Sequence, residues 1–200
     1  ESINNFLIKS FSNENPFKII KLEFVGSQIG EELRDKGEWA MLVALLSILV
    51  YIGFRFEFIY GIGAIIALIH DVIITLGFFS IFQIEFNLSV LSAALAVIGY
   101  SLNDTIVVYD RIRENTRVVK TDRYDNLLNN SVNQTLSRTV ITSLTTMFVL
   151  VSLYLLGGAA VELFALAMMI GILVGTYSSI FIASTSLLLL GANAEIREND

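Results

Sequence analysis

The sequence contains no cysteine, one histidine and one proline in 200 residues. Without cysteine the chain forms no disulfide, offers no thiolate to a metal and has no cysteine nucleophile. Its only histidine, His70, cannot by itself form a multi-histidine metal site. Pro16 precedes all the long apolar segments, so proline kinks none of them. We therefore predict neither a bound metal nor an organic cofactor.

Charged residues are also scarce, at 16% of the chain, whereas 54% of the residues are hydrophobic. Soluble domains carry nearer a quarter of charged residues. The composition predicts an all-α polytopic membrane protein, because a membrane span needs roughly 20 mostly apolar residues. Five apolar segments qualify as spans, at about 38–55, 58–83, 87–109, 138–157 and 162–190.

The first 36 residues differ in character from the rest. Alternating apolar positions at 17–25 give a weak strand signal, and Ser27 is a candidate N-cap for a helix that continues into the first span. A segment of this length is too short to form its own core. We expect residues 1–36 to be a piece of a larger aqueous domain, and the chain to be a fragment of a longer protein.

The distribution of basic residues predicts the orientation in the membrane. Six of the thirteen Lys and Arg residues lie between Arg111 and Arg138. The positive-inside rule places this loop and the C-terminus in the cytoplasm, and residues 1–36 outside. Apolar residues spaced among the loop charges predict a helix at about 111–135 on the membrane surface, or alternatively a solvated helical connector.

Asp104 is the carboxylate that most needs an explanation, because ionised groups inside a membrane are costly. It either binds an ion or proton while facing the bundle interior, or reaches water near the end of its span. The surrounding string GYSLNDT at 99–105 favours the first interpretation, since it supplies a polar helix face rather than one isolated charge. The neighbouring polar side chains are Tyr100, Ser101, Asn103 and Thr105.

Three further residues have two interpretations each. Arg138 opens the fourth span and is either a headgroup anchor or the partner of Asp104, since antiparallel spans bring both to one membrane edge. His70 and Asp71 lie mid-span and point about 100° apart on a helix. We expect Asp71 to face the interior and a neutral His70 to bond to a neighbouring helix; the alternative is a proton relay.

Several strings together resemble the SecF subunits of the SecDF family, relatives of the resistance-nodulation-division transporters. The matching strings are GYSLNDT (99–105), DRIREN (110–115), NQTLSRT (133–139) and GTYSSIFIA (175–183), with RFE at 55–57 and HD at 70–71. The resemblance covers about residues 20–190. It implies six spans with a large extracytoplasmic domain between the first two, so residues 1–36 would be the C-terminal remnant of that α+β domain and residues 37–192 the transmembrane domain.

The resemblance also implies a function. The chain would be a non-enzymatic subunit of an auxiliary preprotein translocase in the bacterial cytoplasmic membrane, driven by a proton or sodium gradient. Its partners would be SecD, the SecYEG channel, the translocating preprotein and the lipid bilayer, and not nucleic acid. Asp104 and Arg138 match the family's ion pathway. The full set that we predict for this pathway is Asp104, Arg138, Tyr100, Asn103, Asp71 and His70.

Three alternatives remain at this point. The chain could be half of a proton-driven exporter of small solutes, which would share the intramembrane charges. It could be an ion-independent scaffold of the export machinery, in which Asp104 is replaceable. An intramembrane serine protease would require Ser101 and His70 in hydrogen-bond contact.

Overall fold

The computed structural model describes residues 27–118 and 124–190, and residues 27–34 and 38 by their backbone alone. The predicted strand at 17–25 lies outside the described residues, as does most of the predicted domain remnant. The described residues form five long helices, each long and apolar enough to cross a membrane. They are α1 (Ser27–Arg55), α2 (Phe58–Ile81), α3 (Leu88–Val118), α4 (Tyr124–Leu156) and α5 (Glu162–Leu189). The predicted all-α polytopic fold is confirmed.

Local sequence explains several helix ends. Among the described residues, helix α1 runs unbroken from Ser27 to Arg55, so the predicted continuation into the first span is confirmed. Asn87 precedes α3, and its Oδ1 accepts hydrogen bonds from the backbone N–H groups of Ser89 (3.0 Å) and Val90 (3.2 Å). A side-chain oxygen in this position satisfies N–H groups that have no partner within the helix. At the turn after α4, Gly158 adopts φ +73°, a conformation that glycine takes without strain.

Helices α2, α3 and α5 form the centre of the bundle, and α1 and α4 lie outside them. Two apolar clusters fill its two ends. The cluster nearest the α1–α2 turn includes Ile52, Tyr60, Tyr109, Ile112, Leu127 and Leu187. The cluster nearest the α2–α3 turn includes Phe79, Val90, Val97, Leu150, Met168 and Ile172. The buried carboxylates Asp71 and Asp104, which are discussed below, lie on two of these central helices.

Helices α3 and α5 approach each other closely at two glycines. A Cβ at Gly171 would overlap the side chain of Val97, and a Cβ at Gly175 would lie 3.0 Å from the Cβ of Ser101. Small residues four apart allow such close packing of membrane helices. The structure thus shows α3 as the helix that packs against Gly171 and Gly175.

The prediction of a separate surface helix at about 111–135 is wrong. Helix α3 continues to Val118 and α4 already begins at Tyr124, so both helices extend beyond the predicted limits of their spans. The reason is packing, because Leu127 and Leu128 are buried against Ile112 and its neighbours. A polar contact reinforces the pairing, as described next.

Hydrogen bonds join the two extensions across their shared face. The Asn115 Nδ2 donates to Ser131 Oγ at 2.8 Å and to Gln134 Oε1 at 3.0 Å. Arg111 also donates to Gln134 Oε1, at 2.7 Å from its Nε. These hydrogen bonds hold the extensions of α3 and α4 together through polar side chains.

Candidate ion-binding site

Asp104 lies on the buried face of α3, although it is a carboxylate in a membrane-spanning helix. Its side chain is 4% exposed. Ser101, one turn earlier, and Val108, one turn later, are buried on the same face. Among the described residues, the buried Oδ2 of Asp104 has no hydrogen-bond partner. An unsatisfied buried carboxylate oxygen is costly and therefore marks a candidate functional group.

Other polar side chains are buried on α2 and α3. We call these buried side chains the polar seam: Asp71, Thr75, Ser101, Asp104 and Thr105. The hydroxyls of Thr75 and Thr105 are buried without a hydrogen-bond partner among the described residues, as is that of Thr139 on α4. Natural interiors contain few such groups, and here three of them accompany an unpartnered carboxylate. The arrangement suits a site whose polar groups change partners during function.

Arg138 lies on α4 near Asp104 but is not bonded to it. Its side chain is exposed, and it is close enough to act electrostatically on the carboxylate. The salt bridges among the described residues do not include an Arg138–Asp104 pair. The structure thus brings the predicted pair into one region without the direct contact that the sequence suggested.

The remaining predicted residues on α3 face different surroundings. The Tyr100 hydroxyl donates to Thr146 Oγ1 on α4 at 3.2 Å, so Tyr100 belongs to the α3–α4 contact. Asn103 is exposed, on a side of α3 different from the buried face that carries Asp104. Of these two residues, the structure therefore places only Tyr100 between helices.

Asp71 is fully buried and faces the interior, as the sequence predicted. Its Oδ2 accepts a hydrogen bond of 2.5 Å from Ser101 Oγ on α3. His70 contacts the same carboxylate, with Nδ1 3.1 Å from Oδ1, and its ring lies 6.5 Å from that of Tyr177. The expectation that His70 bonds to a neighbouring helix is wrong. Its imidazole contacts the next residue on its own helix, because the buried Asp71 carboxylate provides a hydrogen-bond acceptor there.

The same geometry bears on the protease hypothesis. Ser101 and His70 contact opposite oxygens of Asp71 rather than each other. A serine nucleophile needs a base within hydrogen-bond reach of its hydroxyl. In this arrangement the base next to Ser101 is the carboxylate, and the Ser101–His70 contact that the hypothesis requires is not formed.

Sequence reasoning missed the part that Ser178 takes in this site. Residues Ser178–Ile182 form a π-helical turn within α5, and the Ser178 hydroxyl donates to the Ala67 carbonyl on α2 at 3.2 Å. It is also close enough to Asp71 to interact with that carboxylate. No local pattern in the sequence distinguishes a π turn from a regular helix.

Five apolar helices around buried carboxylates define a polytopic membrane protein with titratable groups in its interior. Residues 7–193 match the family described as protein export membrane protein SecD/SecF, C-terminal. The chain belongs to this family, and it is a multi-pass protein of the bacterial inner membrane.

Two curated relatives illustrate the similarity. The chain is 52% identical over 175 residues to protein translocase subunit SecF of Vibrio alginolyticus, covering 88% of this chain and 56% of the relative. It is 50% identical over 189 residues to the same subunit of Escherichia coli O157:H7, covering 94% and 58%. The chain therefore spans somewhat more than half the length of these relatives.

Two crystal structures of SecDF share the fold. One is from Thermus thermophilus and is described as a translocon-associated membrane protein; it has 48% identity and a TM-score of 0.78 over 82% of this chain and 23% of that one. The other, in a super-membrane-facing form, has 38% identity and a TM-score of 0.80 over 100% of this chain and 27% of that one.

Proposed function

We propose that the chain is the membrane part of a SecF-like subunit that uses a proton or sodium gradient to promote protein export through the Sec channel. The identity to SecF proteins and the fold shared with SecDF support this assignment over a small-solute exporter. SecD, the SecYEG channel and the exported preprotein are the proposed partners. In this proposal the chain is not an enzyme.

The observation that carries the coupling proposal is Asp104, a 4%-exposed carboxylate near Arg138, with an oxygen that has no hydrogen-bond partner among the described residues. Protonation would remove the negative charge and with it the attraction to Arg138. The energy available is about 2.3 kcal/mol per elementary charge moved through 100 mV. That energy is sufficient to bias a bundle between two arrangements of similar free energy. Tyr100 would hold α3 against α4 during this change.

The orientation is part of the same proposal. The Arg55 side chain pairs with Asp110 at 3.1 Å, and Arg113 donates to the Arg55 carbonyl at 3.2 Å. These contacts place the α1–α2 turn at the same end of the bundle as the basic 111–138 segment. The positive-inside rule then assigns that end to the cytoplasm.

The coupling proposal is tested by Asp104→Asn in the full-length protein, reconstituted with SecD and the channel in sealed vesicles. We expect the amide to abolish the acceleration of preprotein release by a proton gradient, because it cannot take up or release a proton. The measurement is the release rate with and without the gradient. The matched control is Asp110→Asn, six residues further along α3, whose exposed carboxylate should be dispensable for coupling.

The scaffold hypothesis predicts a different result. If Asp104→Asn assembles with its partners and retains the full acceleration, Asp104 is not the coupling group and the ion-independent scaffold becomes the better assignment. If release by the wild type responds to a sodium gradient but not to a proton gradient, the coupling ion is sodium in this protein, and Asp104→Asn should abolish the sodium response instead.

A further inference from the structure

Asp71 forms a second buried carboxylate centre, one helix away from Asp104. Three of the polar groups that interact with it come from three helices: His70 on its own helix α2, Ser101 on α3 and Ser178 on α5. Gly175 of α5 also packs here, since a Cβ at that position would lie 3.6 Å from Asp71 Oδ2. Among these groups only His70 can carry a charge. The carboxylate is therefore held mainly by neutral hydroxyl donors in a fully buried position.

The distance to Ser101 indicates which ligand this centre suits. A separation of 2.5 Å between Ser101 Oγ and Asp71 Oδ2 is that of a charge-assisted O–H···O⁻ hydrogen bond. The Ser101 hydroxyl thus bonds directly to the carboxylate. This arrangement suits a group that gains and releases a proton, because a carboxylate accepts such a hydrogen bond in either protonation state.

Ser178 has two acceptors for a single hydroxyl proton. Its Oγ donates to the Ala67 carbonyl, which in a regular helix also accepts the N–H of Asp71. The same Oγ interacts with the Asp71 carboxylate. An ionised carboxylate only accepts hydrogen bonds, whereas a protonated one also donates. The protonation state of Asp71 thus decides which acceptor competes better for the Ser178 hydroxyl.

The competition for the Ser178 hydroxyl affects the π turn of α5, which begins at Ser178. Such turns are uncommon within helices and occur frequently at functional sites. Here the first residue of the turn is the one that bonds to α2. A change in the partner of Ser178 therefore changes how α5 is held against α2.

We infer that Asp71 is a second proton-binding carboxylate, and that its protonation shifts the Ser178 hydroxyl from the carboxylate to the Ala67 carbonyl and so alters the packing of the π turn against α2. The carboxylate gains one proton and becomes a carboxylic acid, and no other covalent bond changes. This inference rests on the proposed function in one respect, namely that a proton would reach Asp71 along the polar seam.

The first test is infrared difference spectroscopy of the full-length protein with SecD in lipid, between acidic and alkaline pH. We expect Asp71→Asn to remove one protonated-carboxyl band and Asp104→Asn to remove a different one. If Asp71→Asn removes no band, Asp71 does not titrate and the inference fails. If added sodium at constant pH removes the Asp71 band, the centre binds a metal ion and the assignment to a proton is overturned.

The second test is hydrogen exchange of the backbone at 178–183, with labelling times corrected for the pH dependence of intrinsic exchange. We expect a difference between the two protonation states in the wild type that is lost in Ser178→Ala and in Asp71→Asn. The matched control is Ser179→Ala. Ser179 is equally buried but bonds within α5, to the Thr176 carbonyl at 3.1 Å, so the difference should persist. Persistence in Ser178→Ala would overturn the switch.

These tests separate the inference from the proposed function. If Asp104→Asn leaves gradient-driven release intact while the Asp71 band and the exchange difference remain, the coupling proposal fails and the second centre stands. If release depends on Asp104 but neither signal depends on Asp71, the second centre fails and the coupling proposal stands.

Discussion

At the scale of single residues, burial distinguishes the carboxylate that we propose for coupling from the carboxylates on the surface. Asp104 and Asp110 lie on the same helix, but Asp104 is 4% exposed whereas the Asp110 side chain is 59% exposed and pairs with an exposed arginine. An exposed ion pair contributes about 0–1 kcal/mol. A change of charge state alters the interaction free energy of the buried carboxylate far more than that of the exposed one. We therefore place the coupling at Asp104.

The close packing of Gly63 against Tyr109 provides a stability prediction at the scale of single residues. A Cβ at Gly63 would lie 2.6 Å from the hydroxyl of Tyr109, which is fully buried and donates to the Ala183 carbonyl at 3.3 Å. We expect Gly63→Ala to destabilise the protein by about 1–3 kcal/mol, because this interior has no free space. The measurement is the thermal unfolding midpoint of the purified full-length protein.

A second glycine in the same helix serves as the control. A Cβ at Gly77 meets nothing within 4 Å, so Gly77→Ala should be neutral or stabilising by up to about 1 kcal/mol, through helix propensity. Tyr109→Phe removes the hydroxyl that causes the overlap and should restore part of the stability of Gly63→Ala. Equal effects of the two glycine substitutions would contradict this explanation.

At the scale of helices, the contact between α3 and α5 depends on the size of one residue on each side. The overlap of a Gly171 Cβ with Val97 predicts that Gly171→Ala pushes the helices apart. We expect a loss of about 1–3 kcal/mol. Val97→Ala should compensate, giving a coupling of roughly 0.5–3 kcal/mol in a double-mutant cycle of unfolding midpoints. Additive effects would show that the two residues do not limit the approach.

The paired extensions of α3 and α4 provide a second prediction at this scale. Asn115 and Ser131 are in hydrogen-bond contact; in a single helix over 111–135 they would be about 24 Å apart. The chain has no native cysteine, so Asn115→Cys with Ser131→Cys should react efficiently with a short bifunctional thiol reagent in membranes.

The control pair for this experiment combines Asn115→Cys with Ser137→Cys, because Ser137 lies on an exposed side of α4. This pair should crosslink poorly. Similar yields from both pairs would mean that the extensions do not pack as described.

At the scale of the whole molecule, the two ends of the bundle should lie on opposite sides of the membrane. Arg117 lies at the end with the basic segment and Ala160 in the α4–α5 turn, and both are exposed. In a full-length protein without other cysteines, an impermeant maleimide added outside should label Ala160→Cys at once. It should label Arg117→Cys only after permeabilisation. The reverse pattern would invert the proposed orientation.

The outer faces of the bundle indicate what surrounds the protein. Phe54 on α1 is 92% exposed, and Phe148 on α4 is 70% exposed. The chain covers only 23–27% of the length of the SecDF chains that share its fold. We expect such apolar faces to contact lipid or the remainder of a larger assembly, because large apolar patches are unfavourable in contact with water.

The sequence by itself determined the five spans, and it predicted that Asp71 and Asp104 are the intramembrane carboxylates that need an explanation. These follow from local properties, because an apolar run long enough to cross a bilayer is visible in composition and a carboxylate within it is costly wherever the neighbours lie. Family membership was also evident from strings such as GYSLNDT, which the family match over residues 7–193 confirms.

Only the tertiary structure decided which groups meet. It paired Asp71 with Ser101, bonded the Ser178 hydroxyl to the Ala67 carbonyl, left Arg138 near Asp104 without a salt bridge, and packed Leu127 and Leu128 against Ile112. Hydropathy and periodicity report whether a residue prefers burial, but not which helix covers it. Contacts between helices depend on their rotation and separation, and these are set by the close packing of side chains from several helices at once.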